Sequence, residues 1–182
     1  MVGWNCRGKG RNLDTSKKME YLARLKSLTG AQVLFVSETR SSKCTVGQLN
    51  NRFNTAGSYV MPSNGLSGGL WLLWTDEVQV DVKFSNHHVI LANVVIVATR
   101  REFALACVYG DPHHRETWLI WNHISNFVYD NLGKPVACFG DLNEIMYDIE
   151  TTSTNVNRSH MCAFSSYVKQ CGLLDLGYSG PA

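Results

Sequence analysis

The 182-residue chain lacks the long apolar runs that mark membrane and secreted proteins. Its longest apolar stretch, from Val89 to Ala98, is interrupted by Asn93 and is too short for a bilayer, which needs ~20 residues. The N-terminus has no apolar segment of the kind found in secretory signals. These absences exclude a membrane-spanning helix and predict an intracellular protein, in the nucleus or the cytoplasm.

The chain also has no closely spaced cysteine pair, few prolines and a small net charge. The six cysteines form no Cys-x-x-Cys pair, so a structural zinc site is not indicated and reduced thiols are expected. With 17 basic and 15 acidic residues the net charge is +2, which is no signature of a strongly basic nucleic-acid module and does not exclude DNA as a partner. With four prolines and no repeat, residues 1–182 are predicted to form a single domain.

Apolar residues make up 45% of the chain, and their spacing predicts both helices and strands. Helices are expected over residues 15–29, 45–54, 115–132 and 159–171. Strands are expected over residues 33–36, 59–61, 68–74, 78–84, 88–98, 103–109 and 136–139. The strands in the middle of the chain follow one another without helices, which indicates antiparallel pairing. Trp4, Trp118 and Trp121 are interpreted as core residues.

Polar residues follow several of the apolar strands directly. Glu38 follows the strand at 33–36, Tyr109 and Asp111 follow residues 105–108, and Asp141 and Asn143 follow residues 136–139. Placed at one rim of a sheet, such oxygen-bearing side chains would suit Mg²⁺, which binds through one or two carboxylates and keeps several waters. Strands often end in polar turns as well, so spacing alone leaves both interpretations open.

Five short motifs occur in order: Trp4-Asn5-Cys6-Arg7-Gly8, Ser37-Glu38-Thr39-Arg40, Ser67-Gly68-Gly69-Leu70, Tyr109-Gly110-Asp111-Pro112 and Gly140-Asp141-Leu142-Asn143-Glu144. Together they resemble the endonuclease/exonuclease/phosphatase superfamily, and most of all the apurinic-type endonuclease domain of plant LINE (non-LTR) retrotransposons. The segment from Cys171 to Pro181 is similar to that group too. The resemblance runs from Trp4 to the end of the chain.

The resemblance implies an α/β fold, a four-layer α/β sandwich in which two packed mixed β-sheets are flanked by helices. It implies Mg²⁺-dependent hydrolysis of a phosphodiester, with Mn²⁺ as an alternative ion and DNA as the partner. Glu38 would be the principal metal ligand, supported by Asn5. Asp141 would activate the attacking water or help to bind the metal, Asn143 would bind the scissile phosphate, and Tyr109 would donate its hydroxyl to a phosphate oxygen.

The sequence departs from the family pattern toward its end. The Ser-Asp-His motif of the family does not occur, and no histidine follows His160. The sandwich is therefore expected to be incomplete at the C-terminus, with an unpaired strand edge, as in a fragment or a degenerate copy of a mobile-element reading frame. Asp111-Pro112 replaces an Asn-Pro or Pro-Asn pair, which is expected to weaken one phosphate contact.

Three functions remain open at this stage. The first is a Mg²⁺-dependent DNA endonuclease that nicks one strand during retrotransposition. The second is a phosphomonoesterase of the same superfamily, because the absent C-terminal part is where substrate choice is often made. The third is a non-catalytic relic or binding remnant. The sequence does not determine the oligomeric state.

Overall fold

A computed structural model of the chain describes residues 1–6, 16–41, 46–63, 68–154 and 156–177. Within these ranges there are eight β-strands, four α-helices and one short 3₁₀ helix. In chain order they are β1 (Val2–Asn5), α1 (Ser16–Thr29), β2 (Val33–Ser37), α2 (Val46–Phe53), β3 (Gly57–Met61), β4 (Leu70–Trp74), β5 (Val78–Ser85), β6 (Val89–Ile96), β7 (Glu102–Tyr109), α3 (Thr117–Asp130), β8 (Val136–Asp141), the 3₁₀ helix (Asp148–Glu150) and α4 (Arg158–Gln170).

The strands form two mixed four-stranded sheets. Sheet 1 has the order β1-β2-β4-β3 and sheet 2 the order β5-β6-β7-β8. Each sheet contains one parallel pair, β1 with β2 and β7 with β8, while the other neighbours are antiparallel. The registers place Asn5 opposite Ser37 and Tyr109 opposite Asp141, so both parallel pairs end in polar residues.

Alternating side chains on β2 bind the layers together. Val33 and Phe35 join the core between the two sheets, whereas Leu34 and Val36 pack with α1 and α2 on the outer face of sheet 1. A third cluster packs α3 and α4 against the outer face of sheet 2. The chain is therefore a helix–sheet–sheet–helix sandwich, which confirms the predicted fold class.

The antiparallel pairing predicted for the middle of the chain is confirmed. β6 and β7 form a hairpin, closed where the amide of Ile96 donates to the carbonyl of Arg101 over 2.9 Å. From Val78 to Lys83, β5 alternates between covered and exposed residues, as its period of two indicates. A register shift between Val82 and Phe84 ends this alternation and leaves Phe84 exposed. The five described cysteines form no disulfide, and Cys6 and Cys107 are buried.

The prediction of a core position is wrong for two of the three tryptophans, Trp4 and Trp118. Trp4 is 36% exposed because β1 is an edge strand of sheet 1. Its indole packs on the Tyr21 ring, with the ring centroids 5.1 Å apart. Trp118 is 56% exposed. It lies two residues from the buried Ile120, which is about 200° of rotation around an α-helix, so it faces away from sheet 2. Trp121 is buried, as predicted.

Among the described strands, β1 and β8 have one hydrogen-bonded neighbour each, and these two edge strands lie against one another. A Cβ atom on Gly3 would lie 3.3 Å from the Phe139 ring. In the described part of the chain no helix combines the length and the hydropathy needed to cross a bilayer.

Candidate active site

The polar ends of the two parallel strand pairs meet across the interface between the sheets. The amide Nδ2 of Asn5, at the end of β1, donates to Asp141 Oδ2 over 2.6 Å and lies 3.3 Å from Glu38 Oε1. Asp141 ends β8, so this contact joins residues 136 positions apart. One amide therefore stands between two carboxylates, one from each sheet.

Glu38 is held in an unusual backbone conformation. Its φ is 53°, a left-handed value that costs a non-glycine residue energy and is often found at functional sites. The turn is fixed from the side, since the amides of Thr39 and Arg40 donate to the carbonyls of Gly69 and Gly68 over 3.1 and 3.0 Å. Gly69 has a φ of 88°, and a Cβ there would overlap Thr39. The Gly68-Gly69 pair is thus a structural turn beside Glu38.

Tyr109 lies next to the same carboxylate. Its hydroxyl donates to Glu38 Oε1 over 2.9 Å. Burial, the hydrogen bond to Glu38 and the nearby charges of Glu38 and Asp141 raise the pKa of Tyr109 above its ordinary value, against a smaller opposite effect of Arg40. The phenol therefore keeps its hydrogen at neutral pH and remains a donor.

The loops that follow β7 and β8 are closed onto each other. The Asn143 amide donates to Asp141 Oδ1 over 3.1 Å, and Asn143 Nδ2 donates to the Gly110 carbonyl over 2.7 Å. The Gly110 amide in turn donates to the Asp141 carbonyl over 2.7 Å. A Cβ on Gly110 would overlap the Leu142 carbonyl, so the approach requires glycine. These bonds hold Asn143, with a φ of 51°, beside Asp141.

The side chains of this site fit the divalent ion that the resemblance implies. Two carboxylates, an amide and a phenol supply oxygen atoms, which is the chemistry that Mg²⁺ and Mn²⁺ prefer. Two carboxylates on one amide repel each other, and a divalent cation would offset that repulsion. Within the described ranges no three His, Cys, Asp or Glu side chains are placed to hold an ion by themselves. The residues therefore fit an ion bound by one or two carboxylates that keeps water and substrate as its other ligands.

The structure brings together all five residues predicted from the sequence and adds three that the sequence reasoning missed. Arg40 Nη2 lies 3.7 Å from Glu38 Oε2, within the motif that marks Glu38. His114 Nδ1 and Glu144 Oε1 are 2.9 Å apart and line a groove of about 360 Å³ that also borders Asn143. Only the fold shows the carboxylate partner of His114, because the two residues are 30 positions apart in the sequence.

Asp111 does not face the site as a phosphate ligand. It is 8% exposed, and its carboxylate accepts the backbone amides of His113, Arg115 and Glu116 over 2.9, 2.6 and 2.9 Å. Burial by itself would raise the pKa of Asp111, but these three amides hold the pKa below its usual value, with a further contribution from His88. Asp111 thus shapes the turn that leads into α3.

Solved structures share this fold. An AP endonuclease from Leishmania major superimposes with a TM-score of 0.67 at 12% identity, over 93% of this chain and 65% of that one. The endonuclease domain of TRAS1, a telomere-specific non-LTR retrotransposon, gives 0.65 at 13% identity, over 93% and 72%. A 3′ phosphatase from Neisseria, NExo, bound to a product DNA hairpin, gives 0.60 at 12% identity, over 85% and 66%.

These similarities confirm the fold that the resemblance implied. The chain spans about two thirds of the length of the solved structures it matches. The sequence matches no protein-family model and no curated protein.

Proposed function

We propose that this chain is a Mg²⁺-dependent phosphodiesterase that nicks one strand of DNA during retrotransposition. The observation that carries the proposal is the contact of Asn5 with both Glu38 and Asp141, with the Tyr109 hydroxyl on Glu38. It assembles cation ligands and a neutral phosphate donor where two sheets meet. The fold shared with an AP endonuclease and with TRAS1 supports it.

Each side chain has a role that its geometry permits. Glu38 and Asp141 would hold the ion, and Asn5 holds the two carboxylates in place. Tyr109 donates to a phosphoryl oxygen, since a phenol carries its hydrogen at neutral pH. Asn143 contributes an uncharged amide, which approaches a phosphate without repelling it. Asp141 accepts a proton from the attacking water. The Mg²⁺ ion would supply positive charge against the phosphoryl oxygens as the phosphorus is attacked.

The test is nicking of supercoiled plasmid by the 182-residue chain in Mg²⁺, in Mn²⁺ and in EDTA. Glu38→Gln and Asp141→Asn keep the shape of each side chain but remove its charge, and each should reduce nicking by ~100-fold or more. Glu102→Gln is the matched control, because Glu102 is exposed at the start of β7, seven residues or roughly 23 Å from Tyr109. Nicking that survives in both site variants, or that persists in EDTA, would contradict the proposal.

A phosphomonoesterase is the second candidate, and the structural likeness to the 3′ phosphatase NExo favours considering it. A 3′-phosphorylated DNA hairpin distinguishes the two, because a phosphatase releases inorganic phosphate and leaves the chain length unchanged. A folded chain that neither nicks plasmid nor releases phosphate would be a non-catalytic remnant.

A further inference from the structure

A histidine–carboxylate pair, His114 with Glu144, has no role in the chemistry described above. Its carboxylate follows Asn143 directly in the sequence. His114 belongs to the loop after β7, and Glu144 to the loop after β8. His114 Nδ1 lies 2.9 Å from Glu144 Oε1, which also accepts the hydroxyl hydrogen of Thr117 over 2.9 Å. The Glu144 side chain is 5% exposed, and that of His114 is 33% exposed. A nearly buried carboxylate thus carries a partly exposed imidazole.

The pairing sets which nitrogen of His114 can exchange a proton. Because a carboxylate only accepts hydrogen bonds, Nδ1 carries the hydrogen in this contact. The second nitrogen, Nε2, is then the one that can give or take a proton. A carboxylate that orients an imidazole in this way is the arrangement by which histidine acts in proton transfer.

His114 lines a groove that borders the candidate active site through one of its residues, Asn143. His114, Glu144 and Asn143 line the same groove of about 360 Å³, which also contains His160, whose ring centroid lies 4.7 Å from that of His114. His114 has a φ of 57°, a conformation that histidine adopts at an energetic cost. Strain of this kind persists where neighbouring contacts hold it, and here the Glu144 contact and the bond from the His114 amide to the Asp111 carbonyl, 3.0 Å long, do so.

We propose that His114, oriented by Glu144, is the general acid that protonates the leaving oxygen during strand cleavage. This rests on the proposed phosphodiesterase function. The oxygen of the attacking water forms a bond to phosphorus while the bond from phosphorus to O3′ breaks. The electron pair of that bond stays on O3′, which takes the proton from His114 Nε2 and becomes the 3′-hydroxyl. The water gives its proton to Asp141, and exchange with solvent restores both residues.

The alternative is a purely structural role, in which the His114–Glu144 contact only ties the two loops together. The two roles differ in their dependence on the leaving group. A DNA O3′ oxygen needs a proton as it departs, whereas p-nitrophenolate is a stable anion that leaves without one. Loss of a general acid slows the first reaction selectively, but a displaced loop slows both alike.

The experiment compares a DNA hairpin with thymidine 5′-(p-nitrophenyl phosphate) as substrates of the wild-type chain and of His114→Asn. Asparagine is chosen because it tolerates a φ near 57° better than most residues. We expect DNA cleavage to fall ~100-fold or more, with cleavage of the p-nitrophenyl ester nearly unchanged. Glu144→Gln should shift the same ratio less strongly. His123→Asn on α3, roughly 9 Å along the helix from Thr117, is the control and should leave the ratio unchanged.

Equal losses on both substrates, or no loss on either, would overturn the role of His114 while the proposed function stands. Thermal unfolding of each variant shows whether an equal loss comes from a misfolded chain. A wild-type chain that cleaves neither substrate would overturn the proposed function and the role of His114 together.

Discussion

Replacement of Asp111 should destabilise the protein more than an ordinary loop substitution does. The carboxylate is nearly buried and accepts three backbone amides in the turn that precedes α3. Asp111→Ala removes all three acceptors. In Asp111→Asn an NH₂ group replaces one oxygen, so at least one amide faces a donor instead of an acceptor.

The expected magnitude follows from these bonds. A hydrogen bond to a charged group contributes ~1.5–3 kcal/mol, and loss of a capping side chain costs ~0.5–2 kcal/mol. Water can reach part of this surface turn in the alanine variant, so the three bonds do not add in full. We expect the free energy of unfolding to fall by ~2–4 kcal/mol for Asp111→Ala and by less for Asp111→Asn. For a chain of this length that corresponds to a Tm lower by roughly 4–16 °C.

The pH dependence of this effect has a definite sign. The pKa of Asp111 is lower in the folded protein than its usual value, because the three amides outweigh the opposite effect of burial. The extra stability is therefore complete above the unfolded pKa of ~3.9, and it is lost as the pH falls through the folded pKa. The difference in stability between wild type and Asp111→Asn should shrink in acid.

Urea unfolding followed by circular dichroism, at neutral pH and again below about pH 4, measures both effects. A difference between wild type and Asp111→Ala smaller than ~0.5 kcal/mol at neutral pH would refute the reasoning, because that is the range of unconstrained surface substitutions. A difference that stays constant into acid would refute the assigned cause.

Three further substitutions or treatments give distinct expectations. Gly110→Ala should separate the two site loops and reduce plasmid nicking by ~100-fold or more. Gly47→Ala is the control, because a Cβ there meets open space, and it should leave nicking unchanged. Equal nicking rates for the two variants would show that activity does not need the close approach of the two loops. Tyr109→Phe should slow nicking by roughly 100-fold without unfolding the chain, and a rate near that of wild type would remove Tyr109 from the phosphate site. Of the described cysteines, the exposed Cys162 should be alkylated first by iodoacetamide. Burial raises the pKa of Cys138 to about 12, so Cys138 should react only on unfolding. Mass spectrometry of the native chain that finds Cys138 alkylated before Cys162 would contradict this.

Much of the architecture could be predicted from local pattern. The continuous apolar run of β2 predicts a strand covered on both sides, and β2 lies inside sheet 1 with every residue buried. The alternation in β5 predicts a strand with one exposed face, and residues 78–83 are alternately covered and exposed. Pattern fails at the margins of elements, as for Trp4 on an outer strand and Trp118 in the first turn of α3. A hydrophobic side chain is covered only where another layer extends over it.

The candidate site, too, could be predicted only in part. The position of Glu38, Tyr109 and Asp141 after apolar strands indicated a rim of polar groups, and their motifs carried the resemblance to a nuclease family. The structural role of Asp111 could not be inferred from the sequence, because a carboxylate after a strand can turn toward a ligand or toward its own backbone. The dihedral angles of the turn decide between them, and three amides converge on Asp111.

The sequence by itself determined the elements and the strand ends at which polar chemistry collects, because these depend on the local periodicity of apolar residues. The helix–sheet–sheet–helix layering was implied by the resemblance of its motifs to a family. Only the tertiary structure decided which polar groups meet. Asn5 and Asp141 are 136 residues apart, and they touch because β1 and β8, edge strands of two packed sheets, lie against one another. His114 and Glu144 are 30 residues apart and pair because β7 and β8 run parallel, so the loops that follow them leave the sheet side by side.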